Sequence, residues 1–111
     1  MSNVKQLQPL ELKKKLDRGQ DIFLLDVREG WEFALAAIEG SENFPMGQVV
    51  DRQQEFIFEE EIVVICHFGA RSLLAAQELA EFGFNVYNLA GGIDAWSQVV
   101  DPCVPRYKAN G

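Results

Sequence analysis

The sequence predicts an α/β fold, with a mainly parallel sheet and helices on both of its faces. Two observations lead to this prediction. Short continuous apolar runs, typical of buried strands, alternate along the chain with segments whose apolar residues recur at helical spacing. Such alternation indicates βαβ units. The chain has 111 residues, of which 48% are apolar. Because this number of apolar residues is enough for one hydrophobic core, we expect a single domain over residues 1–111.

The expected strands are short and apolar. Ile22 to Leu25, Ile62 to Ile65 and Val86 to Leu89 are three such runs. The second consists entirely of β-branched residues, which favour extended backbone. Asn43 to Pro45 is a further short strand, ended by its proline. Residues 1–20 form an N-terminal region of strand and helix.

Helices are expected between these strands. Pro9 suits the first position of a helix that Gly19 ends. A tail over residues 101–111 is held extended by two prolines. The other expected helices are Glu29 to Ile38, a weak one within Met46 to Phe56, Arg71 to Phe82, and Ile93 to Val99.

Composition and charge exclude several classes of function. The chain has 10 basic and 17 acidic residues, a net charge of −7, which disfavours nucleic acid and anionic membranes as partners. Two cysteines and one histidine are too few for a zinc site, so no metal is expected. No apolar run approaches the roughly 20 residues of a spanning helix, and Met1 to Gln6 lack a signal-peptide core. We therefore expect a cytoplasmic monomer with reduced thiols.

The segment that carries chemistry follows the strand Ile62 to Ile65. It reads Cys66-His67-Phe68-Gly69-Ala70-Arg71-Ser72 and is called the cysteine loop below. It lies between a strand and a helix, where α/β folds place their sites. Backbone N–H groups of the loop and the first helical turn converge there, with the positive end of the helix dipole. Because these groups favour the thiolate, we expect Cys66 to be a nucleophile.

The neighbours of Cys66 favour this interpretation over a structural cysteine packed as a small hydrophobe. Gly69 permits the positive φ of a tight turn. Arg71 offers a planar cation to an oxyanion or a persulfide anion, and Ser72 offers a further hydrogen bond. The other predicted substrate-binding members of the loop are His67, Phe68 and Ala70.

Asp26 and Arg28 follow the strand Ile22 to Leu25, on the same side of the sheet as the cysteine loop. Two interpretations are open. They orient the loop or bind an anion, or they form a structural ion pair, such as Arg28 with Glu32, that ties the loop to the next helix. We favour the structural interpretation, which still allows them to support the loop.

His67 and Cys103 are weighed separately. His67 directly follows Cys66, so its side chain is expected to point away from the thiol. Lining the mouth of the site, or tuning its charge, is favoured over a proton-shuttling pair. Cys103 follows a proline in the tail and is expected to be an incidental thiol rather than one that resolves a persulfide.

The cysteine loop resembles the active-site loop of the rhodanese-like sulfurtransferases. Other segments resemble further signatures of that family, in the same order. They are Leu25 to Glu29 with Glu32-Phe33, Ile38 to Pro45, and Leu89 to Trp96. The resemblance implies a five-stranded parallel sheet and a single-domain enzyme that needs no cofactor.

The resemblance implies a sulfurtransferase that moves a sulfane sulfur through a Cys66 persulfide. The donor is thiosulfate or a persulfide, which a protein partner can carry, and the acceptor is a thiol or cyanide. A non-catalytic binding or regulatory module of the same fold is the alternative. A cysteine phosphatase or arsenate reductase is less favoured. Four residues separate Cys66 from Arg71, one fewer than in the phosphatases that share the fold, and the tighter loop suits a sulfur atom better than a phosphate.

Overall fold

Five parallel strands and five α-helices make up the described part of the chain, residues 4–109 of a computed structural model. Expectations for residues 1–3 and 110–111 lie outside the described residues. In chain order the elements are β1 (Lys5–Leu7), α1 (Pro9–Asp17), β2 (Ile22–Asp26), α2 (Gly30–Leu35), β3 (Glu42–Asn43), α3 (Met46–Val49), a 3₁₀ helix (Gln53–Glu55), β4 (Glu61–Ile65), α4 (Ala70–Glu81), β5 (Asn85–Leu89) and α5 (Gly92–Val99).

The strands lie in the order β1-β5-β4-β2-β3, and every neighbouring pair is parallel. The predicted five-stranded parallel sheet is therefore confirmed. In the register of β2 and β4, Asp26 is opposite Ile65. Because the two strands end level with each other, the segments that follow them meet at the same edge of the sheet. The cysteine loop lies at that edge, as expected for a site in an α/β fold.

The two faces of the sheet are covered by different helices. Side chains alternate along β4, so Ile62 and Val64 face one side while Val63 and Ile65 face the other. The first pair packs in a core cluster with residues of α3 and α4, and the second pair packs with residues of α1 and α5. The prediction of helices on both faces is confirmed. This alternation also turns Cys66 toward the α4 side.

The predicted helix Glu29 to Ile38 is shorter in the structure and ends at Leu35. Ala36 is extended, with φ −156° and ψ 129°. Its carbonyl accepts a hydrogen bond of 2.5 Å from the buried guanidinium of Arg28. This hydrogen bond and the burial of Ala36 and Ile38 end the helix where helix propensity would have continued it.

The segment Met46 to Phe56 also differs from the prediction of one weak helix. It forms α3 and the 3₁₀ helix, which are separated by a turn. Phe56 is buried, with 7% of its surface exposed, and packs against the rings of Phe23, Phe44 and Phe84. Burying that ring in the core requires the chain to leave helical geometry.

The helices of the described region are short. The longest, α4, has 12 residues, which corresponds to about 18 Å of rise. Within residues 4–109, no helix combines the length and the apolar character needed to cross a bilayer.

We expect Leu79→Ala to lower the free energy of unfolding by about 2–5 kcal/mol, because the Leu79 side chain is fully buried beneath α4 and its truncation leaves a cavity. Leu74 lies on the same helix and is 57% exposed, so Leu74→Ala is the matched control and should change stability by less than about 0.5 kcal/mol. Urea denaturation of both variants measures the difference. Equal losses would contradict the assignment of the two faces of α4.

Candidate active site

Cys66 lies directly after β4, under the turn that leads into α4. Its side chain is buried, and the backbone N–H of Gly69 donates a hydrogen bond of 3.0 Å to its Sγ. Gly69 precedes the first helical residue and has φ +106°, a conformation that L side chains rarely adopt. The glycine therefore allows the chain to curl back so that an N–H group faces the sulfur.

Ser72 connects Cys66 to the adjacent strand β5. Cys66 Sγ lies 3.1 Å from Ser72 Oγ, and the Ser72 hydroxyl in turn donates to Asn88 Oδ1. The amide nitrogen of Asn88 donates to the Gly69 carbonyl over 3.1 Å. Ser72 thus contacts the sulfur as expected, while Asn88 supports both the hydroxyl and the turn. Asn88 was not predicted as a site residue, although its position as a polar residue within an apolar strand was a usable signal.

The first turn of α5 holds the loop from behind. The N–H groups of Ile93 and Asp94 donate to the carbonyls of Cys66 and His67, over 2.8 and 3.1 Å. A Cβ atom at Gly92 would lie 2.3 Å from the His67 carbonyl oxygen. Only glycine therefore allows the helix to approach the backbone this closely, which fixes the position of the loop.

Arg71, the predicted cation of the site, forms an ion pair that the sequence did not predict. Its Nη1 and Nη2 donate to the two carboxylate oxygens of Glu32 over 2.6 and 2.8 Å. These hydrogen bonds raise the pKa of Arg71. Glu32 is only 1% exposed, and burial alone would raise its pKa. The hydrogen bonds from Arg71 and from Tyr107 outweigh burial and lower the pKa of Glu32 to about 2. The pair is therefore ionised and close to neutral in total.

Arg71 has five N–H donors, and its pairing with Glu32 uses two of them. Its Nε is buried and has no hydrogen-bond partner within residues 4–109, while about 24% of the side chain is exposed. The electrostatic influence of Cys66 also raises the pKa of Arg71. Nε is the nitrogen of Arg71 that the pairing with Glu32 leaves without a hydrogen bond, and it is therefore the candidate to meet an anion in the site.

Asp26 and Arg28 form an ion pair with no exposed surface. Arg28 Nε and Nη2 donate to the Asp26 carboxylate over 2.6 to 3.1 Å. Arg28 Nη1 donates to the Glu32 carbonyl, so the predicted ion pair with the Glu32 carboxylate is wrong: that carboxylate binds Arg71 instead. The structural interpretation agrees with this burial, and the pair lies at the base of the cysteine loop.

The His67 ring points away from Cys66 and packs against the rings of Phe68 and Tyr107, with centroids 4.1 and 4.3 Å away. It is fully buried rather than lining an open mouth. Neither ring nitrogen has a hydrogen-bond partner within the described part of the chain. Burial lowers the pKa of His67, so the ring is neutral at pH 7. Phe68 is half-exposed beside it.

The carboxyl-terminal tail, described over residues 101–109, crosses this part of the site. Arg106 forms an ion pair of 2.9 Å with Asp94 of α5, and Tyr107 covers His67. Loop, helix and tail line an open pocket of about 370 Å³. Nothing local in the sequence signalled this role of the tail. Cys103 lies exposed in the same tail.

Ala70 is exposed at the first position of α4. Within residues 4–109, no three His, Cys, Asp or Glu side chains lie where they could share a metal ion. The polar groups that contact the sulfur include the Gly69 amide and the Ser72 hydroxyl. Such a site is suited to holding a sulfur anion.

The structure belongs to a class of α/β proteins in which a buried cysteine lies in a glycine-containing turn. That turn joins a strand of a parallel sheet to a helix. Within that class, residues 8–99 match the model of the rhodanese-like domain. The chain belongs to the rhodanese-like domain family.

Individual relatives agree with this assignment. The chain is 31% identical over 99 residues to the putative sulfurtransferase YtwF of Bacillus subtilis, covering 89% of this chain and 96% of that protein. It is 35% identical to the putative sulfur carrier protein YrkF of the same organism, covering 86% of this chain and about half, 52%, of that longer protein. The crystal structure of a rhodanese-like domain protein from Staphylococcus aureus superposes with a TM-score of 0.82 at 28% identity, covering 95% of this chain and all of that one.

Glu32 predicts a specific pH dependence of stability. Because folding lowers its pKa from 4.5 to about 2, its stabilisation is present above pH 4.5 and is lost as the pH falls from 4.5 toward 2. This loss should be on the order of 3 kcal/mol in the wild type and absent in Glu32→Gln. Denaturant unfolding at several pH values measures it. Glu59→Gln, at an exposed position, controls for the loss of one charge. If that variant also lost the pH dependence of its unfolding free energy, the assignment to Glu32 would be contradicted.

Proposed function

We propose that this chain is a sulfurtransferase in which Cys66 carries the transferred sulfur as a persulfide. The observation that carries the proposal is the 3.0 Å hydrogen bond from the Gly69 N–H to Cys66 Sγ. A backbone donor aimed at the sulfur stabilises a thiolate and, after transfer, a persulfide anion. The names of relatives in the family support sulfur transfer in general.

In the first step, the Cys66 thiolate attacks the outer sulfur of the donor. A new S–S bond forms, the bond within the donor breaks, and the leaving group departs with the electron pair, as sulfite from thiosulfate or as a thiolate from a persulfide. We infer that Arg71 Nε, which has no hydrogen-bond partner among residues 4–109, binds the negative charge of the donor. Covalent capture of this kind splits one transfer into two displacements.

In the second step, an acceptor thiolate or cyanide attacks the outer sulfur of the persulfide. The S–S bond breaks and Cys66 returns to the thiolate. Ser72 contributes at this stage, because its hydroxyl lies 3.1 Å from the sulfur and can turn from Asn88 to donate to it. The cycle consumes no oxidant or reductant, and it requires no cofactor.

Cys66 has no exposed surface in the structure. A donor therefore reaches the sulfur only when covering side chains move aside, a local opening of the kind that often gates enzyme sites. This burial also protects the persulfide from water and from unintended thiols. A reduced compartment keeps the nucleophile available, and we propose that the chain works in the cytoplasm as a single-domain monomer.

The charge distribution favours a donor other than free thiosulfate. The chain carries a net charge of −7, and the Arg71 cation is already paired with Glu32. Both features weaken the attraction for a small dianion. A persulfide presented by a protein agrees better with this balance, and the relative named as a sulfur carrier protein supports such a partner.

The complete burial of Cys66 also keeps a second candidate open, a binding or regulatory module that uses the fold without catalysis. Such a module would recognise partners through its surface and would never load sulfur. A phosphatase or arsenate reductase is disfavoured by the short loop. A measurement of persulfide formation distinguishes these three functions.

We expect the intact mass of the wild type to rise by one sulfur atom after exposure to thiosulfate or to a low-molecular-weight persulfide. Cys66→Ser should abolish this addition, because it removes the nucleophile. Cys103→Ser removes the exposed thiol of the tail and should load as the wild type does. Mass spectrometry of the intact protein and of its peptides measures the site.

The same samples test the alternatives. If the wild type loads no sulfur from either donor, the enzyme proposal is wrong and the binding module is supported. Hydrolysis of an aryl phosphate that depends on Cys66 would instead support the phosphatase. Full loading of Cys66→Ser would show that another group is the nucleophile.

For turnover of thiosulfate with cyanide, we expect a high KM that falls as salt is raised from low ionic strength. Salt screens the repulsion between the acidic protein and the anionic donor. Initial-rate measurements at several ionic strengths give the trend. A KM that rises with salt over this range would contradict the argument against a free anionic donor.

A further inference from the structure

The hydroxyl of Tyr107 lies between two buried charged groups behind the cysteine loop. It accepts a hydrogen bond of 2.7 Å from Arg28 Nη1 and donates one of 2.8 Å to Glu32 Oε2. Tyr107 belongs to the carboxyl-terminal tail and lies outside the part of the chain, residues 8–99, that matches the family model. The tail thus contributes a polar contact that the matched segment does not contain.

We propose that Tyr107 is a positioning residue that sets the orientation of Arg71 through Glu32, so that Arg71 Nε faces the negative end of the sulfur donor. The role of Nε in binding a donor rests on the proposed function. The geometric chain from Tyr107 to Arg71 does not depend on it and can be tested with any anionic reagent that reaches Cys66.

The carboxylate of Glu32 carries the coupling. Oε1 accepts from Arg71 Nη1, while Oε2 accepts from both Arg71 Nη2 and the Tyr107 hydroxyl. A guanidinium and a carboxylate held by two parallel bonds move as one planar unit. Any rotation of the carboxylate therefore rotates the guanidinium and redirects its Nε. The Tyr107 hydroxyl on Oε2 restrains that rotation, together with the Glu29 N–H, which donates to Oε1 over 3.1 Å.

Other contacts hold the Tyr107 ring in place without its hydroxyl. The ring packs against those of His67 and Trp31, with centroids 4.3 and 6.0 Å away. The preceding residue, Arg106, is paired with Asp94. Tyr107→Phe should therefore keep the ring where it is and remove only the hydroxyl. The variant tests the hydrogen bond rather than the anchoring of the tail.

The hydroxyl donates at any pH at which the protein works. Burial, and then its hydrogen bond to Glu32, raise the pKa of Tyr107 to about 12, although the neighbouring Arg28 acts in the opposite direction. The phenol therefore stays protonated, and the Glu32 carboxylate stays ionised to accept from it.

The test compares two alkylating reagents of similar size, anionic iodoacetate and neutral iodoacetamide, on Cys66. All variants carry Cys103→Ser, which removes the exposed thiol. The ratio of the two rate constants reports whether a cation is correctly aimed at the sulfur, and general loosening of the loop changes both rates together. Arg71→Ala sets the ratio expected without the cation.

Tyr107→Phe should lower the ratio of the iodoacetate to the iodoacetamide rate constant about fivefold, toward that of Arg71→Ala, as expected for the loss of one hydrogen bond. Tyr87→Phe is the matched control. The Tyr87 hydroxyl also donates to a partly buried carboxylate, that of Glu61, over 3.0 Å, but at the opposite end of the sheet. Tyr87→Phe should therefore leave the ratio of the two rate constants unchanged.

An unchanged ratio in Tyr107→Phe, or an equal fall in both rate constants, would overturn the positioning role. A wild type that alkylates as expected but never loads sulfur would overturn the proposed function and leave the role of Tyr107 standing. A wild-type Cys66 that reacted with neither reagent would overturn both.

Discussion

The buried carboxylate of Glu32 joins three parts of the chain that are far apart in sequence. A buried charge is costly unless it is paired and hydrogen-bonded, and this one is satisfied by Arg71 from the cysteine loop and by Tyr107 from the tail. Removing either partner would leave an uncompensated group beneath α2. The positions of the helix, the loop and the tail therefore depend on one another, and the site exists only where the three meet.

Backbone contacts give the sulfur its environment. The N–H groups at the start of α5 hold the carbonyls of Cys66 and His67, so the polar groups of that peptide segment are satisfied on the side away from the sulfur. Gly69, with its positive φ, turns its own N–H toward the sulfur. The two glycines thus permit different contacts. Gly92 allows a helix to approach the loop, and Gly69 allows the loop to close over Cys66.

The positive charges of Arg28 and Arg71 are each balanced by a neighbouring carboxylate, in a chain whose net charge is −7. Arg28 is neutralised by Asp26, and Arg71 by Glu32, so these two arginines add little net positive charge. The remaining stabilisation of a sulfur anion comes from hydrogen-bond donors in fixed positions. Directed donors of this kind suit a persulfide, whose charge is concentrated on one atom, better than they suit the capture of a diffusing dianion.

Local patterns in the sequence determined the alternation of strands and helices, the parallel sheet, and the placing of Cys66 between a strand and a helix, because these depend on residues close together in the chain. Only the tertiary structure decided which group each charge meets. Arg71 and Glu32 are 39 residues apart, and Arg28 and Tyr107 are 79 apart. Such pairs form only when the chain folds, and the spacing of the residues along the sequence does not predict them.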